Sequence, residues 1–195
     1  MLIGNKLIKQ HLQDSKLKVS YAPEANQELN IGTNSIDVTL AKDIYTTSQS
    51  IKLNIIDPSN PVFQKEGYPD IESLYRKVTI FESGYTLAPN EFILASVEQA
   101  FNCDTLPWVQ MYEGRSTMAR LGVLTHVSAG FGDKGFKGAF TLEIKNLSPN
   151  YIVLRQGMRI GQVYFKEVTD VDTKYNGYDQ TDFKPQLPRL GKGRF

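Results

Sequence analysis

Apolar and polar positions follow two periods along this chain. Between residues 5 and 14, Leu7, Ile8, His11 and Leu12 recur at helical spacing, which predicts a short amphipathic helix. Beyond it the period falls to two. In Ser35-Ile36-Asp37-Val38-Thr39-Leu40 the alternation sets Ile36, Val38 and Leu40 on one face of a strand, with Asp37 and Thr39 on the other. Phe140-Thr141-Leu142-Glu143-Ile144-Lys145 repeats the pattern, and β-rich runs occupy 85–87, 92–97, 151–154 and 160–165. Pro89-Asn90, Ser148-Pro149-Asn150 and Gln156-Gly157 punctuate them as turns. Many short strands with little helix predict an all-β barrel or sandwich.

Two stretches break the alternation. Residues 57–76 contain three prolines, with Ile71, Leu74 and Tyr75 placed for one helical turn, so an excursion from the sheet is expected there. From Thr169 the chain turns polar, with Lys174-Tyr175-Asn176-Gly177-Tyr178 and then Lys184-Pro185-Gln186-Leu187-Pro188-Arg189. The division expected is a β-domain over 1–168 and a tail over 169–195.

Composition narrows the classes. The 195 residues suit one domain, and 22 Lys and Arg against 21 Asp and Glu leave a net charge of +1. Bulk charge therefore gives no reason to expect nucleic acid or an anionic membrane as partner. The single cysteine, Cys103, excludes an internal disulfide and any two-thiolate site. With only His11 and His126 besides, no zinc site is expected. Lacking a leader-like apolar run at its start and any apolar span of about 20 residues, the chain is expected to be a soluble cytoplasmic protein.

Three segments carry candidate chemistry. Glu113-Gly114-Arg115-Ser116-Thr117-Met118-Ala119-Arg120-Leu121-Gly122 gathers two guanidiniums, two hydroxyls and two glycines, the groups a polyphosphate requires. It lacks the Gly-Lys-Ser/Thr ending of a P-loop, and a polar turn entering a strand has the same composition. Residues 126–138 set four glycines around Asp133, so the loop either wraps a flat ligand closely or simply connects a hairpin. Glu143 shares a polar strand face with Thr141 and Lys145, a face that is most often merely solvated.

Read in order, the segments say more. Gly-Arg-Ser-Thr-x-Ala-Arg-Leu-Gly-Val-Leu-Thr-His-Val-Ser-Ala-Gly, Asp-x-Gly-Phe-x-Gly, Thr-Leu-Glu-Ile-x-Asn and Leu-Arg-x-Gly-Met-Arg-Ile-Gly-Gln together resemble the dCTP deaminase family of the trimeric dUTPase-like superfamily. The resemblance is dense over 115–165 and extends to 34–38 and 87–92. It implies a distorted β-barrel or jelly-roll, assembled as a homotrimer with sites between subunits. Arg115, Ser116 and Thr117 match the phosphate-contacting run, and Ser116, Arg120 and Glu143 match the catalytic group. Val127, Ser128 and Ala129 match the stretch whose backbone reads the pyrimidine, and Asp133 matches the carboxylate beside the deoxyribose. Thr141 and Leu142 precede the glutamate as in the family, and Phe136 stands where a ring stacks under the sugar and disfavours a ribose 2′-hydroxyl.

In the tail, Lys174 and Tyr175 match the family pair that covers base and phosphates, making the tail a lid. Tyr178 stands where a glutamine is usual, with Gln180 two residues on. Gly132 and Lys134 replace the aliphatic residue and proline that commonly flank the aspartate.

The resemblance also implies a mechanism. Zinc deaminases use His-x-Glu and Pro-Cys-x-x-Cys, a pattern this sequence lacks. Glu143 is then expected to take a proton from the water attacking C4 and return it to N3 and the leaving amine, with Arg120 orienting Glu143 and Ser116 positioning the water. Magnesium is expected only as the companion of the triphosphate. The expected reaction is dCTP to dUTP and ammonia, with dTTP as a candidate feedback inhibitor. The alternatives are a bifunctional enzyme that continues to dUMP through a second water on Asp133, a plain dUTPase, and a non-enzymatic nucleotide-dependent switch. Because Gly132 loosens the backbone beside Asp133 and Lys134 adds charge there, dUTP is expected to accumulate with dUMP minor.

Overall fold

In the computed structural model, residues 1–47, 71–175 and 182–188 are described. Tyr178, Gln180 and most of the expected excursion over 57–76 lie outside them. The predicted helix is α1 (Asn5–Gln13), one residue shorter than the periodicity suggested because Asp14 serves as its C-cap. Its N-cap, Gly4, offers no side chain, and the Asn5 N–H donates instead to the Thr33 carbonyl at 2.8 Å. Ile8 is fully buried, and the His11 ring meets the Trp108 indole edge-on at 5.0 Å.

The rest is β-structure. β1 (Lys18–Tyr21), β2 (Ser35–Thr39) and β3 (Asp43–Thr47) lead to a 3₁₀ turn (Ile71–Leu74), which runs directly into β4 (Tyr75–Thr79). Next come β5 (Tyr85–Leu87), β6 (Phe92–Ser96), β7 (Gln99–Asn102), β8 (Trp108–Gly114) and the short helix α2 (Ser116–Arg120). β9 (Val123–Leu124), β10 (Phe131–Gly132), β11 (Lys137–Gly138), β12 (Thr141–Asn146), β13 (Ile152–Leu154) and β14 (Arg159–Glu167) complete the order.

The ladders run β10-β8-β14-β2, β4-β3-β6-β12-β9, β1-β7-β11 and β13-β5. Every one of these pairings is antiparallel, and most join strands distant in sequence, as a jelly-roll-like barrel requires. The alternation read from the sequence faces inward as predicted: Ile36, Val38, Leu142, Ile144, Val163 and Phe165 are all fully buried. Each such side chain contributes about 1.5–3 kcal/mol. Among the described residues no helix is long and apolar enough to cross a membrane.

β14 holds the barrel together, since it pairs with β8 on one side and β2 on the other. The start of the chain is laid along its far end: Leu2 bridges Lys166, the Ile3 N–H donates to the Phe165 carbonyl at 3.0 Å, and the Glu167 N–H donates to the Met1 carbonyl at 3.0 Å. Within β14, Gly161 lies under the buried Tyr112 ring, where an added Cβ would sit 2.2 Å from the phenol oxygen. Gly161→Ala is therefore expected to cost about 1–3 kcal/mol by overpacking. The check is the urea midpoint at constant slope; an unmoved midpoint would show that Tyr112 swings aside freely.

A cleft built on one strand and one loop

β12 carries the site because its two faces part the chemistry from the core. Leu142 and Ile144 point inward, while Thr141 and Glu143 stand half-buried on the other face. β6 pairs along β12 with Glu143 opposite Leu94, and β9 pairs at its end with Asn146 opposite Val123. The Glu143 carboxylate accepts the Val127 N–H at 3.3 Å, fastening the 127–129 segment to the strand.

In front of Glu143 lies a cleft of about 260 Å³ whose walls include Ala129, Asp133, Phe136, Thr141 and Tyr175. The structure thus gathers six of the residues singled out from sequence, Glu143 among them, into one space. Phe136 is buried against Phe140, ring centroids 5.2 Å apart, and its edge faces Tyr175 at 6.0 Å. A second cavity of about 390 Å³ adjoins, lined by Lys134, Thr173 and Lys174 among others. Phe131, Asp133 and Tyr175 belong to the walls of both.

Other predicted residues stand elsewhere. Arg115 caps α2 through its extended backbone, and its guanidinium pairs with Asp37 of β2, a carboxylate that also takes Arg159 at 3.3 Å and the Asn30 amide at 3.1 Å. Ser116, Thr117 and Arg120 are exposed, and α2 is anchored by buried Met118; none of the three lines either cavity. Ser128 is exposed beside Val127. The Leu142 side chain is core, so only its backbone is available to a ligand. Cys103 is buried, which pushes its thiol up to about 11.

The loop around Asp133 differs from expectation. Gly132 does not loosen it: the residue is buried in β10 opposite Gln110, and a Cβ there would press to 3.0 Å of the Phe136 ring. Lys134 is turned toward the β7–β8 turn, donating to the Asp104 carbonyl at 2.6 Å with its side chain 12% exposed. Both departures from the usual pattern hold the loop instead of freeing it.

Sequence reasoning missed Gln186, which reaches the cleft with its backbone N–H donating to the Thr141 hydroxyl at 3.0 Å. No local signal marks it in the polar tail. Phe131, 55% exposed at the mouth, was likewise passed over.

Comparison with known proteins gives the family and the fold. A family model described as dCTP deaminase-like matches residues 2–168. A relative from Methanobrevibacter smithii named "dCTP deaminase, dUMP-forming" is 33% identical over 170 residues, covering 86% of this chain and 81% of its own length. One of the same name from Methanosphaera stadtmanae is 31% identical over 197 residues, 97% of this chain and 93% of its own. The crystal structure of 2′-deoxycytidine 5′-triphosphate deaminase from Agrobacterium tumefaciens shares the fold, with a TM-score of 0.59 at 20% identity over 85% of this chain. This chain spans 47% of the length of that one.

Proposed function

Since the chain belongs to the dCTP deaminase-like family, we propose that it deaminates dCTP hydrolytically and carries the product on to dUMP. The observation that carries the reading is the placement of two carboxylates, Glu143 and Asp133, on one cleft, with a second cavity beginning at Asp133. Two hydrolytic steps need two positioned waters. In the first, Glu143 takes a proton from the water attacking C4 and delivers it to N3, then passes the proton of the new C4 hydroxyl to the amine, so that the C4–N bond breaks and ammonia departs as the C4 carbonyl forms. The Val127 N–H occupies one oxygen of that carboxylate and leaves the other to face the water. In the second, Asp133 holds a water for the α-phosphate, and the bond to the β-phosphate breaks to leave dUMP and pyrophosphate.

The dUMP-forming names of the relatives favour this over a reaction that stops at dUTP. So does the anchoring of Gly132 and Lys134, which removes the reason for expecting a loosened Asp133. Magnesium would arrive with the triphosphate, since it is satisfied mostly by phosphate oxygens and water. Asp133 is the carboxylate this chain offers it between the two cavities.

That Ser116 and Arg120 are exposed and line neither cavity of their own chain supports a homotrimer in which they serve the Glu143 of another copy. The exposed apolar residues Leu121, Leu124 and Val127, in the segment that follows α2, suit such an interface. dTTP, a deoxynucleoside triphosphate of similar shape, would compete for the same space as a feedback inhibitor.

Product chromatography from dCTP with Mg²⁺ tests the reading. The expected result is dUMP and pyrophosphate appearing in step with ammonia. Free dUTP accumulating at the same rate as ammonia would confine the chain to deamination, and no ammonia at all would overturn both steps.

A further inference from the structure

Three lysines from different parts of the chain converge on Asp104, in the turn between β7 and β8. Lys174 of the tail places its ammonium 2.7 Å from Oδ1, Lys134 lies 3.6 Å from the same oxygen, and Lys137 of β11 lies 3.9 Å from Oδ2. The Lys174 ammonium beside it holds the Asp104 carboxyl below the usual carboxylate range. The Tyr175 N–H, next in the chain, donates to the Lys134 carbonyl at 2.7 Å. Lys134 itself follows Asp133, and Tyr175 lines both cavities.

Among the described residues, Asp104 is thus the anion to which the aspartate loop and the tail are both tied. We propose that Asp104 is a positioning residue that latches the tail through Lys174 and sets Tyr175 across the shared mouth of the two cavities before nucleotide enters. A partly exposed ion pair is weak and screened by salt, so the latch can open to admit substrate and release product. The kinetic part of the proposal rests on the dCTP reading; the structural part does not.

The test uses the full chain with Asp104→Asn and Asp104→Glu. Without nucleotide, Asp104→Asn is expected to speed tryptic cleavage after Lys174 and hydrogen exchange at the Tyr175 amide by roughly two- to five-fold. Asp104→Glu restores protection, and rising salt erodes it in the parent but not in Asp104→Asn. With dCTP, KM rises by a similar factor while kcat stays within about two-fold, the signature of lost pre-organisation. Lys174→Gln should raise Tyr175 exchange as much as Asp104→Asn, and the double variant no further, which reads the latch from its other side. Unchanged exchange in both single variants would overturn the latch, and faster exchange with an unmoved KM would overturn the positioning role. A chain with no turnover of dCTP would sink the proposed function, leaving the cleavage and exchange arms to decide the latch.

Discussion

Glu143→Gln is expected to lower deamination by about 10²–10⁴-fold while dCTP still binds. The amide keeps the size of the side chain, and its oxygen can still accept the Val127 N–H, so the 127–129 segment stays on the strand. What it loses is the ability to take a proton from water and return it. The loss should fall on kcat and kcat/KM alike, with KM nearly unmoved, because the missing interaction belongs to the transition state. The same variant supplied with dUTP should still form dUMP, since Asp133 is intact. Deamination within a few-fold of the parent would remove Glu143 from the chemistry.

Truncation after Thr173 is the other large effect, expected to reduce kcat/KM on the order of 10²-fold. It takes away Lys174, Tyr175 at the mouth of the cleft, and the Gln186 N–H on Thr141. The barrel should still fold, because its ladders end at Glu167. A modest fall in Tm is expected as well: Phe183 packs against the core and Pro185 is buried, so the tail is partly structural. Unchanged kinetics would make the tail a spectator.

The strands that announced themselves in the sequence are those whose inward positions are all apolar, as in β2 and the body of β12. β8 did not. Its inward positions are Trp108, Gln110 and Tyr112, and a glutamine with no exposed surface breaks the alternation. Gln110 is tolerated there because its amide donates to the Phe136 carbonyl at 2.9 Å, a partner 26 residues away that no local pattern reveals. Glu98 and Gln99 hide β7 in the same way: Glu98 accepts from the Thr39 hydroxyl at 2.7 Å, and Gln99 donates to that hydroxyl at 2.8 Å. α2 has only five residues and one buried side chain, too little to set a period.

Thr141, Glu143, Asp133 and Phe136, which share the cleft, were singled out by the ordered motifs of the resemblance and not by local pattern, which read them as a solvated strand face and a hairpin loop. Gln186 and Asp104 were not, because their relevance comes from a tail and a turn folding onto the loop. The weight placed on Gly132 and Lys134 failed for a related reason. A glycine signals freedom only until its neighbours fill the space above it.

The pairing of the first residues with the end of β14 bears on how the molecule comes into being. Leu2 cannot meet Lys166, nor Ile3 meet Phe165, until more than 160 residues have followed the first ones out of the ribosome. At about 5–20 residues per second that is a wait on the order of 10–40 s, during which the backbone of Leu2 and Ile3 lacks its partner on β14. Until β14 arrives, β8 and β2 also lack the strand that joins them. Such a high contact order makes closure of the barrel a late and slow event, and the nascent chain is at its most exposed to aggregation or to a holding chaperone just before its last barrel strand emerges.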